Sequence, residues 1–314
     1  PEDFSIARNR SFSYATCDYI MWADADDVLM PSELQKLKAL KPLLSLDMYL
    51  VTYDYAQDAD GKSLSLLERE RIIRNDERIK WRYPIHEVIP MDCIPNVTYE
   101  KTGIVLTHKR TDAGFSADLN RNITMLRKAL VDADYKDDPR LQYYLGKECH
   151  DANQFKEGAE ELQKYLDAGQ GWWEDRICAQ FRLAQCQQAQ AALEQDEGVR
   201  ATLRSNARSN ALKAIEMDDR WAEPYYVLGL LAWDHNNWHS AIRWFEICRQ
   251  MPIPDVLSPI RPEFYQWLPN LQLCVMYDNI GDHQTALERN TEAMHYRPND
   301  PRMQHNDKYL KEIL

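Results

Sequence analysis

YIMWADADDVL, residues 19–29, sets an apolar run directly against three carboxylates in four positions. Tyr19, Ile20, Met21 and Trp22 predict a strand, which delivers Asp24, Asp26 and Asp27 to its end. Like charges brought together out of water cost several kcal/mol unless a counter-charge joins them, so about that much must be offset here. A divalent cation is the commonest such counter-charge. A hard cation held by one or two carboxylates keeps open positions for phosphate oxygens. The alternative is an exposed acidic turn in which Asp26 or Asp27 caps the helix that follows.

Working outward, residues 1 to about 112 mix short β-like runs with turns. DFSIARNRSFSYA reads as a helix that Asp3 or Ser5 could cap, with Ile6, Ala7, Phe12 and Ala15 as its apolar positions. Pro31 opens a second helix, with Ser32 and Gln35 at capping-box spacing and Leu34, Leu37, Leu40 and Leu44 as the core stripe. Met48–Tyr53 is a strand by its β-branched and aromatic content. Asp58–Lys62 is a turn. Ile104–Leu106 is a further short strand, ending at His108. Strands interleaved with helices predict an α/β unit.

From about residue 117 the texture changes to helix after helix. Leu228-Gly229, Ala241 and Phe245 stand at offsets echoed by Leu273-Cys274, Ala286 and Ala293. Leu145-Gly146, Gly158, Leu162 and Tyr165 supply another copy. Leu183-Ala184, Ala207 and Ala214 supply a fourth, with an insertion around Gln195–Ala201. Small residues at fixed offsets let paired helices approach closely, and a unit of ~34 residues built this way is the tetratricopeptide signature. Such units stack into a solenoid whose face serves a partner or acts as a scaffold. The predicted fold class is therefore α/β plus all-α, with a partial α/β domain over 1–116 and a tetratricopeptide helical domain over 117–314. The helix around Asn120–Val131 joins them.

Composition narrows the function classes. The formal net charge of −12 argues against nucleic acid or an anionic membrane surface as a partner, though a local basic face would escape a whole-chain count. No apolar run reaches the length of a membrane span. The seven scattered cysteines form no CxxC and read as reduced thiols in a cytoplasmic protein.

Four further features accompany the acidic stretch. Arg8 lies upstream. Residues 68–82, ERERIIRNDERIKWR, hold six basic side chains alternating with acids, which read singly as a solvated, self-paired surface. Trp81-Arg82-Tyr83-Pro84-Ile85-His86-Glu87 follows, and His108 stands at a strand end. In this order DFSIARNRSFSYATCDYIMWADADDVL, RIIRNDERIKWRYPIHEVI and GIVLTHKR resemble the GT-A-type family 2 glycosyltransferases, specifically those with C-terminal tetratricopeptide repeats.

The resemblance implies a metal-dependent inverting glycosyltransferase. Asp24 and Asp26 would be the family's DxD pair, holding Mg²⁺ or Mn²⁺ and the diphosphate of a nucleotide-sugar donor, with His108 as third metal ligand. Glu87 would be the base that takes the acceptor hydroxyl's proton, with His86 orienting it or contacting the acceptor. Arg8 and Arg74 would partner the diphosphate or the acidic cluster, Asp27 would belong to the substrate-binding set, and Trp81 would stack on a sugar ring. The acceptor would be a surface glycan, a protein or another polymer, and the repeats could carry a protein partner. Family members open with further strand–helix units that read base and ribose. None stands before Pro1, so the expected relation is to an N-terminally truncated domain. The competing expectation is a tetratricopeptide scaffold for protein or glycan carrying an inactive or incomplete transferase remnant.

Overall fold

The structure, a computed structural model, describes residues 3–57, 61, 63–90, 93–109 and 112–314, with the side chains at 64 and 112–119 left aside. The chain begins with α1 (Phe4–Phe12), β1 (Tyr19–Met21), β2 (Asp27–Val28), α2 (Pro31–Leu40), β3 (Met48–Gln57), β4 (Ser63–Arg74) and β5 (Tyr99–His108). The five strands form one sheet in the order β1-β4-β3-β5-β2, antiparallel except for the β3–β5 pair.

That order puts β1 and β2 on opposite edges although only five residues separate them. The segment Trp22–Asp26 must therefore cross over one end of the sheet. One apolar layer packs Trp22, Met48, Ile73, Ile79, Trp81 and Ile89. The other joins Val51, Tyr53, Ile104 and Leu106 to Leu37 and Leu40 of α2.

Local chemistry explains most boundaries. Asp3 caps α1 by accepting from Ile6 N at 3.0 Å. The apolar stripe predicted for that helix fails at Ile6, which is 66% exposed. Ser5 is the buried residue of α1, and Phe12 packs against the Trp22–Trp81 layer. The predicted capping box of α2 also fails. Its N-cap is Met30 without a side-chain bond, and Pro31 starts the helix because its missing N–H costs nothing there. Glu33 instead accepts from Val105 N at 2.9 Å and ties α2 to β5. The turn predicted at 58–62 lies outside the described residues apart from Gly61, which takes φ +76°.

Beyond β5, α3 (Asp112–Leu130) leads into α4 (Pro139–Asp151), α5 (Phe155–Asp167), α6 (Trp173–Leu193), α7 (Glu197–Met217), α8 (Ala222–Trp233), α9 (Trp238–Gln250), α10 (Trp267–Asn279), α11 (His283–Tyr296) and α12 (Pro301–Ile313). Four antiparallel pairs, α4/α5 to α10/α11, match the four sequence copies. A β-carbon on Gly146 would come 2.7 Å from Leu162 Cγ, and one on Gly229 2.5 Å from Phe245 Cε1. The small residues are thus where paired helices close on each other. The expected insertion around Gln195–Ala201 falls at the short connection between α6 and α7 and the start of α7, and both helices run to 21 residues.

Residues 251–266 break the repeat. Ile260 and Leu66 exchange backbone bonds at 2.9 and 2.7 Å, so this segment extends the β3–β4 hairpin. Glu174 accepts from Leu257 N and Ser258 N at 2.9 and 2.7 Å, and Lys101 pairs with Asp255. Val256, Ile260, Phe264 and Tyr265 enter the main core of the array. Among the described residues no disulfide is formed, and no helix is long and apolar enough to cross a membrane.

Candidate active site

The crossing segment over the sheet end is the acidic stretch. Trp22 N donates to Arg71 O at 3.2 Å, and its indole N–H to Glu70 O at 2.5 Å, which anchors the start. Asp27 N donates to Asp24 O at 3.0 Å while Asp24 N donates to Asp27 Oδ2 at 2.8 Å, so the turn closes on itself. Lys109 N donates to Asp26 O at 2.9 Å and fixes the far end against β5.

Three strands send side chains up to this turn. From β3, the Tyr53 hydroxyl donates to Asp27 Oδ1 at 2.7 Å. From β5, His108 Nδ1 lies 2.9 Å from the Tyr53 hydroxyl, 3.1 Å from Asp27 Oδ1 and 3.5 Å from Asp26 Oδ1. Its ring stacks on Tyr55 at 5.5 Å. From β4, buried Arg71 places Nη1 3.2 Å from Asp27 Oδ2 and 3.9 Å from Asp24 Oδ2, with its guanidinium 3.7 Å over the Trp22 ring. Burial alone would raise the Asp27 pKa. Bonds from His108, Asp24 N and Tyr53, together with Arg71, reverse that and hold it below the usual carboxylate range. Burial and the Asp27 charge push the Tyr53 phenol far up, so it stays a neutral donor.

Arg8 links this cluster to Glu87. Its Nη2 lies 3.1 Å from Asp24 Oδ1 and its Nε 2.5 Å from Glu87 Oε1. The guanidinium sits over the rings of Trp22 and Trp81 at 4.2 and 5.1 Å. Asn9, one residue on, exchanges two bonds with the Trp81 backbone, both 2.9 Å, and so sets the rotation of α1.

Several predicted site residues fall elsewhere. Asp26, Asp27 and His108 present ligand atoms all within 4.8 Å of one another. Asp27 rather than Asp24 completes that group, because Asp24 is turned onto Arg8. Trp81 is no exposed sugar platform: it is 2% exposed and packs edge-on against Trp22 at 4.9 Å and Phe12 at 5.8 Å. Arg74 misses the cluster, since three residues beyond Arg71, at the last position of β4, it pairs with Asp47 at 3.1 Å and with Ser45 O. His86 turns away from the acidic turn and stacks on Tyr144 of α4 at 4.1 Å. Arg71 and Tyr53 were not foreseen. The signal for Arg71 was the period-two alternation of Glu68, Arg69, Glu70 and Arg71, which marks a strand with one charged set turned inward.

Two carboxylates and one imidazole nitrogen form a hard oxygen and nitrogen donor set that fits Mg²⁺ or Mn²⁺. The Asp26 side chain is half exposed and so leaves an approach for a ligand. Asp26, Asp27 and His108 are the residues that would hold the ion.

Residues 1–95 match the model of glycosyl transferase family 2. The SPbeta prophage-derived glycosyltransferase SunS of Bacillus subtilis (strain 168) is 23% identical over 173 residues, covering 52% of this chain and 39% of that protein. Glycosyltransferase SunS of Bacillus phage SPbeta aligns with the same identity and coverage. The match thus spans well under half the length of these curated relatives. Among solved structures, a thermophilic TPR protein from Thermus thermophilus is 15% identical with a TM-score of 0.48, covering 62% of this chain and 93% of that one. YrrB, a TPR protein with an unusual peptide-binding site, is 16% identical with a TM-score of 0.41, covering 62% of this chain and 86% of that one. The helix pairing of this chain, rather than these distant likenesses, establishes the repeats. Residues 1–95 are a region of glycosyl transferase family 2, and a tetratricopeptide-like helical array follows them in the same chain.

Proposed function

We propose that the protein transfers a sugar from a nucleotide-sugar donor to an acceptor hydroxyl, with inversion at the anomeric carbon. What carries this reading is the joining of the acidic turn and Glu87 by one cation, Arg8, inside the region that matches family 2. Mg²⁺ or Mn²⁺ bound by Asp26, Asp27 and His108 would supply charge neutralisation for a departing diphosphate. Arg8 has two carboxylate partners and stays partly exposed, so it can turn a donor hydrogen bond to a phosphate oxygen. Arg71 holds Asp27 ionised and fixed. Tyr53 orients the same carboxylate from below, and Glu87 takes the proton of the attacking hydroxyl. The acceptor is a surface glycan, a protein or another polymer, the location cytoplasmic, and the units divide at residues 116 and 117.

Substituting Asp26→Ala should abolish Mn²⁺ binding in calorimetry, and Glu87→Gln should lower turnover of the donor at least 100-fold with Mn²⁺ affinity kept. Full turnover in both variants would sink the reading. A second reading, a partner-binding scaffold, is favoured by a cavity of about 570 Å³ in the array, away from the acidic turn, lined by Arg249, Gln266, Asn270, Glu292 and His295. Mn²⁺ binding that survives both Asp26→Ala and His108→Ala would favour it.

A further inference from the structure

The loop that carries Glu87 is a tight hairpin closed by the Arg82–Val88 bridge, with backbone bonds of 2.9 and 3.2 Å. Two of its residues take left-handed backbone angles, Tyr83 at φ +78° and His86 at φ +50°. Side chains other than glycine adopt that region only when surrounding structure over-determines it. The sheet supplies part of that restraint, through Arg69 Nη2 donating to Glu87 O at 3.2 Å.

The rest comes from the first helix of the array. Arg140 Nη2 donates to His86 O at 3.2 Å, and the Arg140 guanidinium lies 5.6 Å from the Tyr83 ring. The Tyr144 ring lies flat on the His86 imidazole, 4.1 Å away and 15° from parallel. Glu148 Oε1 is 2.9 Å from His86 Nε2. Positions 140, 144 and 148 recur every four residues, so all three project from one face of α4. Each is itself held. Asp175 of α6 lies 4.0 Å from Arg140, and Asn122 of α3 donates to Glu148 at 3.3 Å. Beneath the loop, Ile85 is buried among Ile123, Leu126, Leu141 and Leu145. The same loop anchors α1, because Phe4 N donates to Pro84 O at 2.9 Å, and α1 carries Arg8.

We infer that Arg140, Tyr144 and Glu148 are positioning residues for Glu87, so that the first helical repeat completes the base side of the site. This rests on the reading of Glu87 as the base. The contacts reach Glu87 through its neighbour His86, and none of the three touches the metal-binding group. Their loss therefore displaces the base and leaves the metal-binding group alone.

The test measures nucleoside diphosphate release from a panel of uridine and guanosine diphosphate sugars, alongside Mn²⁺ affinity by calorimetry, for Tyr144→Ala, Tyr144→Phe, Glu148→Gln and Glu87→Gln. A displacement near 1 Å lowers rates by about 100-fold. Tyr144→Ala and Glu148→Gln are expected to lower kcat by about 10- to 100-fold with Mn²⁺ affinity unchanged. Tyr144→Phe keeps the flat ring contact and is expected to keep the wild-type kcat. Glu148→Gln preserves side-chain size and covers the case in which Tyr144→Ala does not fold. Wild-type kcat in both Tyr144→Ala and Glu148→Gln, beside a silenced Glu87→Gln, overturns the inference alone. A joint fall of kcat, donor affinity and Mn²⁺ affinity that Tyr144→Phe shares also overturns it, since that is a general structural loss. Full turnover in Glu87→Gln removes the base reading and the inference with it.

Discussion

Asp27 is the residue on which the acidic turn depends. Its side chain is fully buried, and it meets Arg71, Tyr53, His108 and the Asp24 amide at once. Removing one member of a buried ion pair costs about 3–5 kcal/mol, because the other charge stays buried without compensation. Asp27→Asn keeps the shape and strands Arg71. The unfolding free energy measured in urea should drop by that amount, and Mn²⁺ affinity should fall with it; an unchanged value would mean the pair contributes nothing. The sequence offered three neighbouring aspartates, and their types gave no way to rank them. Asp24 faces Arg8, Asp26 faces outward and Asp27 faces in because the chain crosses the sheet end in one particular turn. Trp81 teaches the same lesson from the other side. An aromatic next to a cluster of charges suggests a sugar platform, yet Arg8 and two other aromatics already cover its faces.

At the scale of elements, β4 is the instructive case. Its alternating acids and bases satisfy the composition of a solvated surface and the period of a strand equally well. What separates them is burial, which depends on β1 and β3 flanking the strand. The helical pairs were far more legible, because close packing requires small residues at positions that the chain repeats. Gly229→Ala tests that. Its β-carbon would meet Phe245 at 2.5 Å, an overpacking that costs about 1–3 kcal/mol. Thermal unfolding should shift down accordingly, and no shift would show that α8 and α9 can separate without cost.

For the whole molecule, the segment 251–266 welds the array to the sheet, and it brings a buried acid into play. Glu223 is 1% exposed and accepts from the Tyr265 hydroxyl at 3.2 Å. Burial raises its pKa to about 7, and Asp175 is raised in the same way to about 6. In the unfolded chain a glutamate titrates near 4.3, give or take about a unit. The folded state therefore binds the proton more tightly. The stability from this group is full below about pH 4.3 and is lost as pH rises through about 7, on the order of 4 kcal/mol in all. Glu223→Gln should flatten the fall of the urea midpoint between pH 5 and 8, whereas a slope equal to wild type would assign the effect elsewhere.

The amino-acid sequence by itself determined the two textures, the four helical pairs, the strand leading to the acidic turn and the strand ending at His108. These follow from periodicity and residue size, which act over a few turns of chain. It also brought Arg8, Glu87, Asp26 and His108 forward as chemistry-bearing residues. Only the tertiary structure decided that Asp27 joins Asp26 and His108, that Arg71 is the buried cation, that Arg74 and Trp81 stand apart, and that α4 grips the Glu87 loop. Each of those rests on contacts between residues far apart in the chain. Its partners are chosen by sheet order and helix packing, which no local pattern of residue types encodes.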